Sequence, residues 1–198
     1  MKIHQIKSSL FNSNTYIIEN NSGKILLVDP GDPKTDKIIR LINTNNWIIS
    51  GVLLTHEHAD HIAGLINLIN YEKFPIYCSA KCSINIRNSK LNFSRYIEEI
   101  DPFVLEIDTK ILINNKFYKI EDFEFRFVET PGHSPGGACY IGSDLIFSGD
   151  TILENNKTVL KFPNSSIKDY ENSINKLKKY LQKDLLIYPG HGNPFLFT

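Results

Sequence analysis

Cysteine is scarce in this chain. Three occur, at Cys78, Cys82 and Cys139, an odd number without framework spacing, which excludes a disulfide-stapled secreted module. Cys78 and Cys82 resemble half of a zinc site, but no second cysteine pair completes it. Net charge is also missing: 22 basic residues offset 22 acidic ones, so nothing draws the chain as a whole toward nucleic acid. Only the stretch 155–185 is locally basic, with seven lysines against Asp169, Glu171 and Asp184, a difference of +4. It reads as a solvated helix face before it reads as attraction for an anionic substrate. No apolar run approaches the ~20 residues that span a bilayer. The start, Met1–Lys7, alternates like an edge strand and lacks the apolar block of a secretion signal. No Ser-His-Asp or Cys-His signature offers a protein nucleophile. These absences predict a cytoplasmic protein with no nucleic-acid partner and no membrane partner. The length, 198 residues, suits one domain over 1–198.

Histidine is where the pattern lies. Of six histidines, five fall into one arrangement. Its core is Thr55-His56-Glu57-His58-Ala59-Asp60-His61. His133 follows in Pro131-Gly132-His133-Ser134, Asp150 in Gly149-Asp150-Thr151, and His191 in Pro189-Gly190-His191-Gly192. Each ligand-type residue stands just past an apolar run, where a strand gives way to a loop, and Pro131-Gly132 and Pro189-Gly190 fit tight turns that aim a side chain into a cleft. Gly51–Thr55 reads as a buried strand, and residues 60–70 read as a helix with Ile62, Leu65, Ile66 and Ile69 on one stripe. His56 and His58 are two apart on extended backbone and point the same way. Asp60 and His61 open the helix and face elsewhere, so one turn can serve two adjacent ions. Seven nitrogen and oxygen donors of this kind are what a dinuclear metal site needs. His4, outside the pattern, reads as an ordinary structural histidine.

The remaining elements follow from period and punctuation. Strands are expected near 2–8, 14–19, 24–29, 111–113, 117–120, 123–129, 138–142, 145–148 and 185–188. Helices are expected near 33–44 and from Asn172 to Leu181, and residues 75–107 should hold a short strand and one or two helical pieces. Strand-rich halves interleaved with helices suit two packed sheets with helices outside.

On Leu27-Val28-Asp29-Pro30-Gly31, the 55–61 cluster, Thr130–Gly136, Ser148–Thr151 and 189–192, the chain resembles the metallo-β-lactamase superfamily, and within it the glyoxalase II-like group. The resemblance covers nearly the whole chain. It implies an α+β fold, the four-layer αβ/βα sandwich with metals at one edge of two sheets. It implies two divalent ions, zinc first, with iron or manganese also suited to the donors. His56, His58 and His133 would hold the first ion, Asp60, His61 and His191 the second, and Asp150 would bridge both, opposite a bridging hydroxide. Asp60 and Asp150 are thereby the catalytic carboxylates. Asp29 matches an acid that supports the ligands from behind.

The implied activity is metal-dependent hydrolysis of a small thioester or ester, led by the hydroxyacylglutathione hydrolase (glyoxalase II) type. Relative to glyoxalase II the chain stops soon after His191, without the further helical domain, and so resembles the short single-domain members. The Gly-Arg or Gly-Lys pair that follows the bridging Asp in glyoxalase II is absent. Lys157 or Lys161 stands as the substitute for binding a substrate such as a glutathione conjugate. The alternatives are a mono-iron persulfide dioxygenase, a lactonase, a β-lactamase, or a metal-binding protein without catalysis. Asp150 stands where common zinc β-lactamases carry cysteine, and His58 stands where flavodiiron proteins carry glutamate. A nuclease would need an RNA-binding arm or a large extra domain.

Overall fold

The computed structural model describes residues 1–154 and 157–198. The chain opens with strands β1 (Lys2–Lys7), β2 (Asn14–Glu19) and β3 (Lys24–Val28). Helix α1 (Asp36–Asn45), strand β4 (Ile48–Leu53), helices α2 (Ala59–Ile62) and α3 (Leu65–Tyr71), strand β5 (Ile76–Cys78), helix α4 (Ala80–Asn85) and strand β6 (Lys110–Ile111) follow. These strands form one sheet in the order β1-β2-β3-β4-β5-β6, antiparallel up to β3 and parallel beyond it. The second half supplies β7 (Lys116–Ile120), β8 (Phe123–Glu129), β9 (Ala138–Ile141), β10 (Leu145–Gly149), helix α5 (Ile167–Leu177), β11 (Leu186–Pro189) and β12 (Phe195–Leu196). Its sheet runs β12-β11-β10-β9-β8-β7, with β10 and β11 its parallel pair.

The period-two pattern explains how the sheets meet. In β8, Phe123, Phe125 and Phe127 are buried while Glu124 between them is exposed. They join Tyr140 and Phe147 against Tyr16, Leu26 and Leu53 of the first sheet, an aromatic core between the two sheets. The outer face of the first sheet is covered by α1 to α4 through Ile38, Ile62, Leu65 and Cys82. The outer face of the second packs Ile146 and Ile187 under Leu177 of α5. The result is the four-layer αβ/βα sandwich that the family resemblance implied. Among the described residues, no helix is long and apolar enough to cross a membrane.

Three elements differ from expectation. The helix read over 60–70 is two helices, broken at Ala63-Gly64. Gly64 donates to the Pro30 carbonyl at 2.8 Å, and a Cβ there would stand 2.6 Å from the Pro30 and Asp32 carbonyl oxygens. Close passage of the 30–32 loop therefore sets the break, and an apolar stripe does not record it. Helix α5 begins at Ile167, five residues ahead of the expected start, because the Ser166 hydroxyl caps it by accepting from the Asp169 amide at 3.2 Å. The two-residue strand β12 was not expected at all; it pairs antiparallel with β11.

Candidate metal centre

The cluster sits where β4, β8, β10 and β11 end. Strands β8 and β10 both run antiparallel to β9 and therefore finish on the same side. The sheets are tied there by the Ala138 amide donating to the Thr55 carbonyl at 2.8 Å and the Asn14 amide to the Gly190 carbonyl at 2.7 Å. The chain bends at Thr55, and His58 takes the N-cap position of α2 on extended backbone, with φ −63° and ψ 144°. Alternation sends His56 and His58 into the cluster and Glu57 to the opposite side. Asp60 and His61 leave from the first turn of α2.

The donors gather in two groups. Ring nitrogens of His56, His58 and His133 converge within 4.8 Å of one another, and so do donor atoms of Asp60, His61 and His191. Asp150 stands between them. Its Oδ2 is 3.4 Å from His133 Nε2 and 3.5 Å from His191 Nε2. All seven residues expected to hold metal are thus brought together from both sheets.

Three of the rings are aimed from behind. His133 Nδ1 donates to the Val159 carbonyl at 2.8 Å, which turns Nε2 toward His58 Nδ1, 3.0 Å away. His191 Nδ1 donates to the Phe11 carbonyl at 3.2 Å, which turns its Nε2 toward Asp60 Oδ2 at 3.2 Å. His61 Nδ1 is 3.0 Å from Asp29 Oδ2. Asp29 also lies near His56 and His61 as a third possible donor group. Its oxygens, however, already accept from the Thr55 amide at 2.7 Å and the Thr55 hydroxyl at 2.5 Å as well as facing His61. Both Asp29 oxygens are therefore already engaged, and the carboxylate holds the His61 ring from behind. Its left-handed backbone, φ 49°, is among those an Asp tolerates better than most residues. Gly190 is required at its position, because a Cβ would collide with the Asp150 carboxylate and the His61 ring.

The donor set fits divalent cations. His56 Nε2 and Asp150 Oδ1 are buried and have no hydrogen-bond partner among the described residues. Such orphaned atoms are costly unless something absent from the protein satisfies them. Imidazole and carboxylate donors without thiolate suit zinc, iron or manganese.

Electrostatics separate the two groups. Burial, reinforced by the neighbouring histidines, holds His56 and His58 well below the ordinary histidine value. Burial also pulls on His61, but Asp60, Asp150 and Asp29 outweigh it and push the ring up to about 10. His191 is raised in the same way, with Asp60 and Asp150 overcoming burial. Burial works against the Asp60 carboxylate, yet His61 and His191 hold it well below the usual range. Without a cation, the second group is an ion-paired cluster, whereas His56 and His58 are neutral rings.

A cleft of about 740 Å³ opens above the cluster, with His58, Asp60, His133, Asp150 and His191 in its floor. Lys157 lines it, whereas Lys161 is exposed and lies outside the lining. Of the stretch on which that pair of lysines was read, Asn155 and Asn156 lie outside the described residues. Sequence reasoning missed two features. Glu57 is fully buried and accepts from Asn85 Nδ2 at 2.7 Å, Gly136 N at 3.3 Å and Ser134 Oγ at 3.2 Å, clasping the loop that carries His133. Its place between two inward histidines was the available signal. The apolar walls of the cleft, Phe93 and Phe162 foremost, gave none, since they come from loops without period.

The model of the metallo-beta-lactamase superfamily matches residues 9–191. A probable polyketide biosynthesis zinc-dependent hydrolase, BaeB, of Bacillus velezensis is 29% identical over 195 residues, 96% of this chain and 79% of that protein. A probable metallo-hydrolase of Streptococcus pyogenes is 28% identical over 199 residues, 97% of this chain and 84% of that protein. Among solved structures, the BLEG-1 B3 metallo-beta-lactamase superposes with a TM-score of 0.90 at 24% identity, covering 99% of this chain and 94% of that one. TTHA1623 in a di-iron-bound form gives 0.85 at 23% identity, covering 98% and 94%. At these identities the structural likeness speaks for the fold.

Proposed function

Because the chain belongs to the metallo-beta-lactamase superfamily, we propose that it is a dinuclear metallo-hydrolase of thioester or ester bonds, with chemistry of the glyoxalase II type. The observation that carries this reading is the pair of donor groups joined by Asp150, with His56 Nε2 and Asp150 Oδ1 buried and unpartnered. His56, His58 and His133 are the proposed ligands of one ion, Asp60, His61 and His191 of the other, and Asp150 of both. Ions bound there would make hydroxide available from water at neutral pH and would polarise the attacked carbonyl. In the overall reaction water adds its oxygen to the acyl carbon, the C–S or C–O bond breaks, and the leaving thiol or alcohol takes a proton. Asp60 and Asp150 present their carboxylates in the cleft floor, beside the reacting atoms. Asp29 holds the His61 ring in place through Nδ1.

Zinc is the proposed metal, supported by the donor chemistry and by the zinc-dependent naming of the Bacillus velezensis relative. Iron is the second reading, favoured by the di-iron form of TTHA1623. The test is hydrolysis of S-D-lactoylglutathione and simple thioesters by protein loaded separately with Zn, Fe and Mn. Turnover near 10⁴ M⁻¹s⁻¹ in kcat/KM, about the low end of ordinary enzymes, is expected with at least one thioester. His58→Ala and Asp150→Ala should abolish it and lower bound metal. Full activity in His58→Ala would refute the mechanism.

A further inference from the structure

The walls of the cleft bear on what it accepts. Phe93 stands 4.7 Å from the His58 ring, centroid to centroid, and 5.3 Å from Phe162. Phe162 in turn lies 5.5 Å from His58 and 5.6 Å from His133. The aromatic wall therefore begins at the metal ligands themselves. Tyr96, Leu153 and Val159 extend it, and Phe11 faces it from the loop between β1 and β2, beside His191. Phe11 and Tyr96 are 53% and 63% exposed, more than aromatic side chains accept without a purpose when they gather around one cavity.

Two of these walls are held under backbone strain. Phe11 has φ 53° and Phe93 φ 65°, left-handed values that are outliers for bulky residues and collect at ligand clamps. The turn under Phe93 is locked by Asn92. Its side chain donates to the Phe103 carbonyl at 3.0 Å and accepts from the Ser94 amide at 2.9 Å, and its carbonyl accepts from the Ala59 amide at 2.7 Å. The same turn is thereby fixed to the start of α2, which carries Asp60 and His61.

We propose that this cleft is an acyl pocket, selecting thioesters or esters whose acyl group is an apolar chain. The inference rests on the hydrolase reading above. Biological thiols carry amide groups within a few bonds of sulfur, and those need hydrogen-bond partners that aromatic walls beside the floor do not offer. An alkyl acyl group needs none. Among the described residues, Lys157 is the one lysine or arginine in the lining, too little positive charge to seat the two carboxylates of glutathione.

The test uses N-acetylcysteamine thioesters with acyl chains from acetyl to octanoyl, and the matching S-alkyl thioethers, which cannot be hydrolysed. kcat/KM should rise about fourfold per methylene until the cleft is full, and thioether Kd on metal-free and metal-loaded protein should fall in parallel. Phe162→Ala, a change at a 40% exposed side chain, should cut the octanoyl-to-acetyl ratio about tenfold, and Phe93→Ala should do the same. Turnover with no dependence on chain length, in rate or in Kd, overturns the acyl pocket and leaves the hydrolase standing. Thioether binding that tightens with chain length, with no turnover of any thioester or ester, overturns the hydrolase and leaves the pocket.

Discussion

At the scale of single residues, the two donor groups have different appetites for protons. Metal and proton compete for the same nitrogen. His56 and His58 are neutral near pH 7, since burial and neighbouring rings depress them, and they take an ion without shedding protons. His61, pushed up to about 10, and His191, also raised, hold theirs. An ion at Asp60, His61 and His191 must expel them, so its affinity falls as pH falls through and below those raised values. The expected outcome is that protein loaded with two ions at pH 8 loses the second before the first between pH 7 and 5.5, read as metal per chain after gel filtration. Simultaneous loss of both would count against the separation. Asp29 gives a second prediction. Asp29→Asn puts an amide N–H or a weaker acceptor against Thr55 and His61, loosening the ring without removing a ligand. Metal affinity should drop roughly 10- to 100-fold in a chelator competition, with the secondary structure unchanged by circular dichroism.

At the scale of elements, the His133 loop is held by a side chain from another sheet. Glu57 receives three donors, from Asn85 at the end of α4 and from Ser134 and Gly136 after β8. Burial raises its carboxyl pKa against the pull of those same donors. Glu57→Ala leaves buried donors unpaired, at about 1–3 kcal/mol each. Urea unfolding of the metal-free variant should show a loss of at least that size; a change below ~0.5 kcal/mol would mean the loop is held otherwise. Glu57 also shows where sequence reading stops. The candidate ligands were legible because four crowd into the 56–61 cluster after an apolar run, and His133, Asp150 and His191 each follow an apolar run and a glycine, as Asp150 follows Leu145–Gly149. Two packed sheets were legible from alternation such as Phe123-Glu124-Phe125, whereas the four-layer order came from the family resemblance. The break at Gly64 was not, because it records the passage of residues 30–32, which are remote in the chain. The cap at Ser166 was within reach as Ser-x-x-Asp, but the apolar stripe of Ile174, Leu177 and Leu181 drew the start of α5 too late. The Phe93 wall was invisible, because its position depends on what Asn92 meets across the fold.

At the scale of the molecule, the donors come from both halves. The turn after β4 belongs to the first sheet, whereas His133, Asp150 and His191 follow strands of the second. Ions held among them would join the two sheets at one edge, where the protein's own ties are polar, such as Ala138 to Thr55 and Asn14 to Gly190. Unfolding scatters the donors, so ion binding becomes folding free energy. An ion kept at about 1,000 times its Kd adds about 4 kcal/mol, and for a chain of this length each kcal/mol moves Tm by roughly 2–4 °C. Chelation should therefore lower Tm by about 8–16 °C per ion removed, and zinc should restore it. In Asp150→Ala, which cuts the link between the two groups, the chelator should shift Tm by much less. An unchanged Tm in the parent protein, with metal loss verified by elemental analysis, would mean that the sheets do not depend on the cluster and that its donors serve chemistry alone.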